Sequence, residues 1–147
     1  MCAQLTDKAI NSSSFSTKFN GYKDLMKLRL SSLVVLSAFF GYYIAGGKVQ
    51  SLELFYLLLG GVLITGSSNG FNQIWEKNSD NLMERTKNRP LPTKALSSSE
   101  AFVFNIITAL IGLSLLWSIN FKSAVLGLIA MVLYVLVYTP LKKITPF

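Results

Sequence analysis

Charged side chains divide this 147-residue chain into four long uncharged runs, 30–47, 54–75, 101–121 and 123–141, of 18, 22, 21 and 19 residues. A helix needs roughly 20 apolar residues to cross the hydrocarbon core of a bilayer. Four such runs in so short a chain argue against a soluble core and for an all-α, multi-spanning transmembrane helical bundle. Composition agrees. Only 14% of residues are charged and 51% are hydrophobic, whereas soluble domains average about 25% charged. The same apolar bias excludes intrinsic disorder.

The charges between the runs give orientation. Lys8, Lys18, Lys23, Lys27 and Arg29 precede the first run, and Lys77, Arg85, Lys87, Arg89 and Lys94 lie between the second and third. Lys142 and Lys143 follow the fourth, leaving only Lys48 and Lys122 on the other side. Cytoplasmic flanks carry the basic excess, so both termini and the middle loop are expected in the cytoplasm, with the chain multi-pass in the inner (cytoplasmic) membrane. The net charge of +7 is thereby first a topology signal. No basic patch stands apart from the membrane flanks, so no nucleic-acid partner is implied. With no His and one Cys, Cys2, a disulfide framework, a Cys-rich zinc site and imidazole chemistry are excluded.

Residues 1–28 read as a cytoplasmic N-terminal tail. Within it Phe19, Tyr22, Leu25 and Met26 fall at near-helical spacing between lysines, which fits a short interfacial helix or a solvated leader about equally. Its polar, Ser-rich character lacks the pattern of a cleavable signal peptide. Short connections are expected near 48–51 and 120–122, and a long cytoplasmic one over 76–99. Pro90 and Pro92 bar helix there, and the stretch Leu96-Ser97-Ser98-Ser99-Glu100 offers N-cap chemistry for the next span. Gly60, Gly61, Gly66, Gly70, Gly112 and Gly127 are expected to let helices approach closely, Gly66 and Gly70 as a GxxxG pair.

The chemistry concentrates where the second run ends. Asn72, Glu76 and Asp80 are spaced i, i+4, i+8. Each step of four drifts only about 40° around a helix, so the three share one face. Like carboxylates one turn apart repel, and a hard cation between them removes that repulsion. Mg²⁺ takes oxygen ligands and is commonly held by one or two carboxylates plus substrate phosphates. Arg85, Lys87 and Arg89 follow, and such cations bind phosphate oxygens. Carboxylates for a metal followed by cations for phosphate suit a diphosphate. A solvated juxtamembrane face explains the loop charges equally simply, but ionisable residues at the membrane end of a span default to function.

This segment resembles the first Asp-rich motif of the UbiA superfamily of intramembrane prenyltransferases, Asn-x-x-x-Asp/Glu-x-x-x-Asp. The following Arg85-Thr86-x-x-Arg89-Pro90-Leu91 is similar to a signature found in several branches. Within the superfamily the closer likeness is to the branch that farnesylates protoheme IX (the haem O synthases), through Glu76, Met83 and Arg85-Thr86-Lys87-Asn88-Arg89. The hydroxybenzoate branch usually opens with Asn-Asp, where this chain has Asn72-Gln73. Lys27-Leu28-Arg29 resembles the family's Lys-x-Arg, and Tyr138-Thr139-Pro140-Leu141-Lys142-Lys143 resembles its Tyr-Thr-x-x-Lys-Arg, with Lys143 in place of Arg.

The resemblance implies that Asn72, Glu76 and Asp80 serve catalysis by holding Mg²⁺ on the diphosphate, with Arg85, Lys87, Arg89, Lys142 and Arg29 binding the diphosphate itself. It implies farnesyl diphosphate and haem b as substrates in the bilayer, haem O as product, and a haem A synthase as a candidate downstream partner. An aromatic quinone precursor as acceptor, or a non-catalytic membrane fragment, are the rival readings. Members of the family are considerably longer and carry a second Asp-rich motif with no counterpart here. Residues 29–147 are therefore expected to form the N-terminal part of such a domain, and the 147-residue chain alone to be inactive.

The basic asymmetry generates a direct expectation. Topology reporters fused after Lys48 and after Lys94 should report opposite sides of the membrane; the same side for both would refute the arrangement.

Overall fold

The computed structural model describes residues 18–80, 83, 84, 86 and 88–144, the side chains of 142–144 excepted. Residues 1–17 of the tail lie outside the described set. The elements in order are α1 (Lys18–Met26), α2 (Leu28–Ile44), α3 (Leu52–Asp80), α4 (Ser98–Ile119), α5 (Phe121–Leu133), a π-helical turn (Tyr134–Tyr138) and α6 (Thr139–Ile144). The chain is all-helical among the described residues, a helical membrane bundle as its uncharged runs imply. Three helical segments are long and apolar enough to cross a membrane, and the bent pair α1–α2 makes a fourth if it counts as one span.

The bend is local and physical. Lys27 sits in the left-handed region at φ 46°, ψ 55°, and the two helices turn by 42° there. The carbonyls left open at the end of α1 find side-chain donors. Gln73 Nε2 donates to Leu25 O at 2.9 Å and Asp24 O at 3.3 Å, and the buried Ser31 donates to Met26 O at 3.1 Å. Leu25 is fully buried in a small core with Leu91, Leu96 and Ala101, flanked by Tyr22, Ile74 and Phe104. Thus α1 is fastened to α3 and to the loop before α4. At its far end α2 stops where Gly46 takes φ 86°, a conformation open to glycine.

At about 1.5 Å per residue, the 29 residues of α3 span roughly 43 Å. That exceeds a hydrocarbon core of roughly 30 Å, so one end of α3 must project beyond it. The buried face of α3 is polar toward its C-terminus: Ser67, Ser68, Asn69, Asn72, Gln73, Glu76 and Asp80 are all buried. The exposed positions on α2, α4 and α5 are instead large and apolar, among them Leu33, Phe40, Val103, Leu110 and Leu126. Apolar outside and polar inside is the arrangement a bilayer rewards and water does not.

Antiparallel α3 and α4 form the closest pair. A Cβ on Gly60 would lie 3.1 Å from the Gly112 carbonyl oxygen, and one on Gly112 would lie 3.2 Å from that of Gly60. The GxxxG residues divide their work: Gly66 receives Met26 of α1, and Gly70 receives Asn105 of α4. Ser67 Oγ adds a bond to Asn105 O at 2.8 Å across the same contact. The N-cap expected before the third span is a capping box. Glu100 N donates to Ser97 Oγ at 3.1 Å and Ser97 N donates to Glu100 Oε2 at 3.0 Å. Between α4 and α5 only Asn120 intervenes, its Oδ1 accepting from Ser123 N at 2.8 Å.

The packing separates two kinds of glycine. Gly112→Leu should destabilise the protein by about 1–3 kcal/mol through overpacking, seen as a lower thermal midpoint in detergent. Gly41→Ala, where an added Cβ meets nothing within 4 Å, should leave that midpoint unchanged. Equal tolerance at both positions would contradict the α3–α4 contact.

Candidate functional site at the end of α3

The i, i+4, i+8 set lies on one buried face at the C-terminal end of α3. Asn72, Glu76 and Asp80 are 2%, 5% and 3% exposed, so the two carboxylates are nearly withdrawn from water. Such charges need partners close by. Arg89 supplies one from the loop: its Nη1 donates to Asp80 Oδ2 at 2.6 Å and lies 3.8 Å from Glu76 Oε2. A single guanidinium nitrogen thus faces both carboxylates. The Arg89 side chain remains 23% exposed, so the group reaches from the buried site toward the surface.

The loop turns so that Arg89 can return. Thr86 Oγ1 donates to the Asp80 carbonyl at 3.1 Å, satisfying one of the acceptors a helix end leaves open. Backbone bonds from Thr86 to Met83 O and from Arg89 to Thr86 O, both 3.0 Å, continue the turns. The spacing Thr-x-x-Arg therefore has a mechanical reading: Thr86 ties the loop to the end of α3, and three residues later Arg89 meets the carboxylates.

Asn72 is held from both sides. Its Nδ2 donates to Glu76 Oε2 at 3.3 Å, and its Oδ1 accepts from Thr139 Oγ1 at 2.9 Å. The reversed amide would set two oxygens against each other at Glu76, so the network fixes its orientation. Thr139 is fully buried and follows the π-turn, where its backbone N–H donates to Tyr134 O and its single hydroxyl proton lies between Asn72 Oδ1 at 2.9 Å and Tyr134 O at 3.0 Å. Pro140 explains the irregular turn, because proline lacks the N–H and crowds the carbonyl four residues back. π-turns of this kind recur at functional sites. One turn deeper, Tyr134 donates to Asn69 Oδ1 at 3.3 Å, while Asn69 Nδ2 has no hydrogen-bond partner among the described residues.

The structure thus brings Asn72, Glu76, Asp80 and Arg89 together. Arg29 lines a separate surface groove with Lys23, Asp24 and Lys27. Arg85 and Lys87 lie outside the described residues, as does the side chain of Lys142. Sequence reasoning quoted Gln73, Thr86 and Thr139 as motif positions without giving them a role, and it missed Asn69 and Tyr134. Pro140 was the available signal for the π-turn, and Asn69, three residues before Asn72 on a helix, lay within reach of the same face argument.

The donor set fits a hard divalent cation. Two carboxylates suit Mg²⁺, which binds through one or two carboxylates and completes its shell with water and substrate phosphate; the Asn72 oxygen expected beside them accepts from Thr139 instead. Among the described residues no three of His, Cys, Asp and Glu form a group that could hold a metal.

Known proteins match the chain over most of its length. Residues 34–147 match the UbiA prenyltransferase family. The chain is 43% identical over 125 residues to a protoheme IX farnesyltransferase of Christiangramia forsetii, covering 85% of this chain and 42% of that protein. It is 44% identical over 131 residues to one of Flavobacterium psychrophilum, covering 86% and 43%. A protoheme IX farnesyltransferase of Thermus thermophilus is 34% identical over 134 residues, covering 90% and 22%. The chain thus spans less than half the length of these relatives. No solved structure matches it significantly. With a family match over most of its length and the polar, helix-borne site above, the chain belongs to the UbiA prenyltransferase family and is a multi-pass membrane protein.

Proposed function

We propose that this chain carries the metal- and diphosphate-binding part of a protoheme IX farnesyltransferase, which transfers a farnesyl group from farnesyl diphosphate to a vinyl group of haem b to give haem O. The observation that supports this most directly is the pairing of Glu76 and Asp80 with Arg89 at the C-terminal end of α3, in a chain whose relatives bear that enzyme's name. In this reading the protein sits in the inner membrane with its N-terminus and the 81–97 loop in the cytoplasm, and farnesyl diphosphate enters with its headgroup at that loop. A haem A synthase would take the product onward.

The residues divide the work. Glu76 and Asp80 would hold Mg²⁺, with Asn72 Nδ2 orienting Glu76. When bound, Mg²⁺ supplies charge stabilisation to the departing diphosphate. Arg89 uses one nitrogen on the carboxylates, and its remaining donors suit phosphate oxygens. Arg85, Lys87 and Lys142 add positive charge from the same side. Thr86 and Thr139 keep the loop and Asn72 in place. In the reaction the C1–O bond of farnesyl diphosphate breaks and its electron pair leaves with the diphosphate. The haem vinyl group adds to the allylic carbon. Water then adds to the resulting cation and releases a proton, giving the hydroxyethylfarnesyl substituent. The apolar helix faces below Asn69 accept the prenyl chain and keep water from the allylic centre.

Glu76→Gln and Asp80→Asn each remove one charge with little change in volume. Expressed in the full reading frame that encodes these residues, either substitution should lower haem O formation by at least about a hundredfold, as loss of an electrostatic group in such a site does. The protein should still insert, and chromatography of membrane haems reads the result. Undiminished haem O from Asp80→Asn, or a prenylated aromatic acid in place of haem O, would overturn the assignment.

A further inference from the structure

The bend between α1 and α2 creates an open groove of about 550 Å³. Lys23, Lys27 and Arg29 stand along it, and Leu28, Leu30 and Leu33 form its apolar wall. Those three leucines are 40%, 45% and 61% exposed. One acidic residue, Asp24, also lines the groove. The first turn of α2 holds no acidic side chain, so the positive end of that helix is not offset there.

The groove is held open by the fold. Its opposite side is the buried one, where Gln73 grips the carbonyls of Asp24 and Leu25 and where Ser31 bonds Met26 O. Lys27 keeps its left-handed conformation between them. The cations are therefore presented at a fixed bend, with an apolar wall descending along α2 toward the bilayer. Glu76, Asp80 and Arg89 do not line this groove.

We propose that the α1–α2 groove binds an anionic phospholipid, its phosphate among Lys23, Lys27 and Arg29 and an acyl chain along Leu28, Leu30 and Leu33. Charge complementarity selects the headgroup, because each Lys or Arg near an anionic bilayer surface contributes roughly a factor of five in binding. The apolar wall selects a ligand with a chain over a bare anion. The helix entering the membrane is thereby anchored at its bend by a lipid.

The test uses the purified chain in neutral detergent, titrated separately with dioleoylphosphatidylglycerol, dioleoylphosphatidylcholine, inorganic phosphate and farnesyl diphosphate. Retained lipid is read by native mass spectrometry and stabilisation by thermal unfolding. Phosphatidylglycerol should be retained one to one and raise the unfolding midpoint, with little effect from phosphatidylcholine or phosphate. Lys23→Gln with Arg29→Gln should weaken that retention several-fold, by removing two cations that face the phosphate. Both side chains are exposed, so the fold should survive. Lys23→Arg with Arg29→Lys should restore the lipid. Equal retention of both phospholipids, an unchanged glutamine variant, or equal stabilisation by phosphate alone would overturn the proposal. One-for-one displacement of the lipid by farnesyl diphosphate would also overturn it, by making the groove a substrate site.

Discussion

Two carboxylates buried side by side on one helix, facing one guanidinium, are the constraint around which this chain is arranged. Two carboxylates withdrawn from water side by side need a cation or donors at close range. Arg89 meets that need in the structure, 2.6 Å from Asp80 and 3.8 Å from Glu76. The rest of the loop follows from bringing it there. Thr86 secures the exit from α3, Leu91 and Leu96 bury the turns against α1, and Ser97 with Glu100 opens α4 with a capping box. A buried pair of like charges is an expensive feature, and proteins keep such features where chemistry uses them.

The bundle around the site is built for closeness. Gly60 and Gly112 bring the backbones of α3 and α4 together, and Gly70 makes room for the buried Asn105. In lipid, where apolar surface gains little by leaving its surroundings, such small-residue contacts and interhelical hydrogen bonds hold helices together. The polar stripe of α3 can then lie inside while Leu33, Leu110 and Leu126 point outward. That inversion lets one helix be both a membrane span and the carrier of a charged site.

Much of this was legible in the residues. The uncharged runs announced the three spanning helices and the bent pair that makes a fourth, and the spacing of Asn72, Glu76 and Asp80 placed them on one face. The capping box was readable from Ser97 and Glu100 because it is local. What escaped was either long-range or conformational. Thr139 reaches Asn72 across 67 positions and Gln73 reaches Leu25 across 48, and no local pattern encodes such pairs. The left-handed Lys27 breaks the first uncharged span from its leader, yet lysine carries no signal for that conformation as glycine would. Arg29 was grouped with the diphosphate ligands by resemblance, whereas the bend places it in a groove with Lys23 and Lys27.

The central claim is that the end of α3 holds a metal-bridged diphosphate. Calorimetric titration of farnesyl diphosphate into the detergent-solubilised chain, with Mg²⁺ and then with a chelator, tests it most directly. The account predicts saturable binding near one to one with Mg²⁺ and loss of that binding when Mg²⁺ is removed. Binding of the same strength without Mg²⁺, or no binding in its presence, would contradict it.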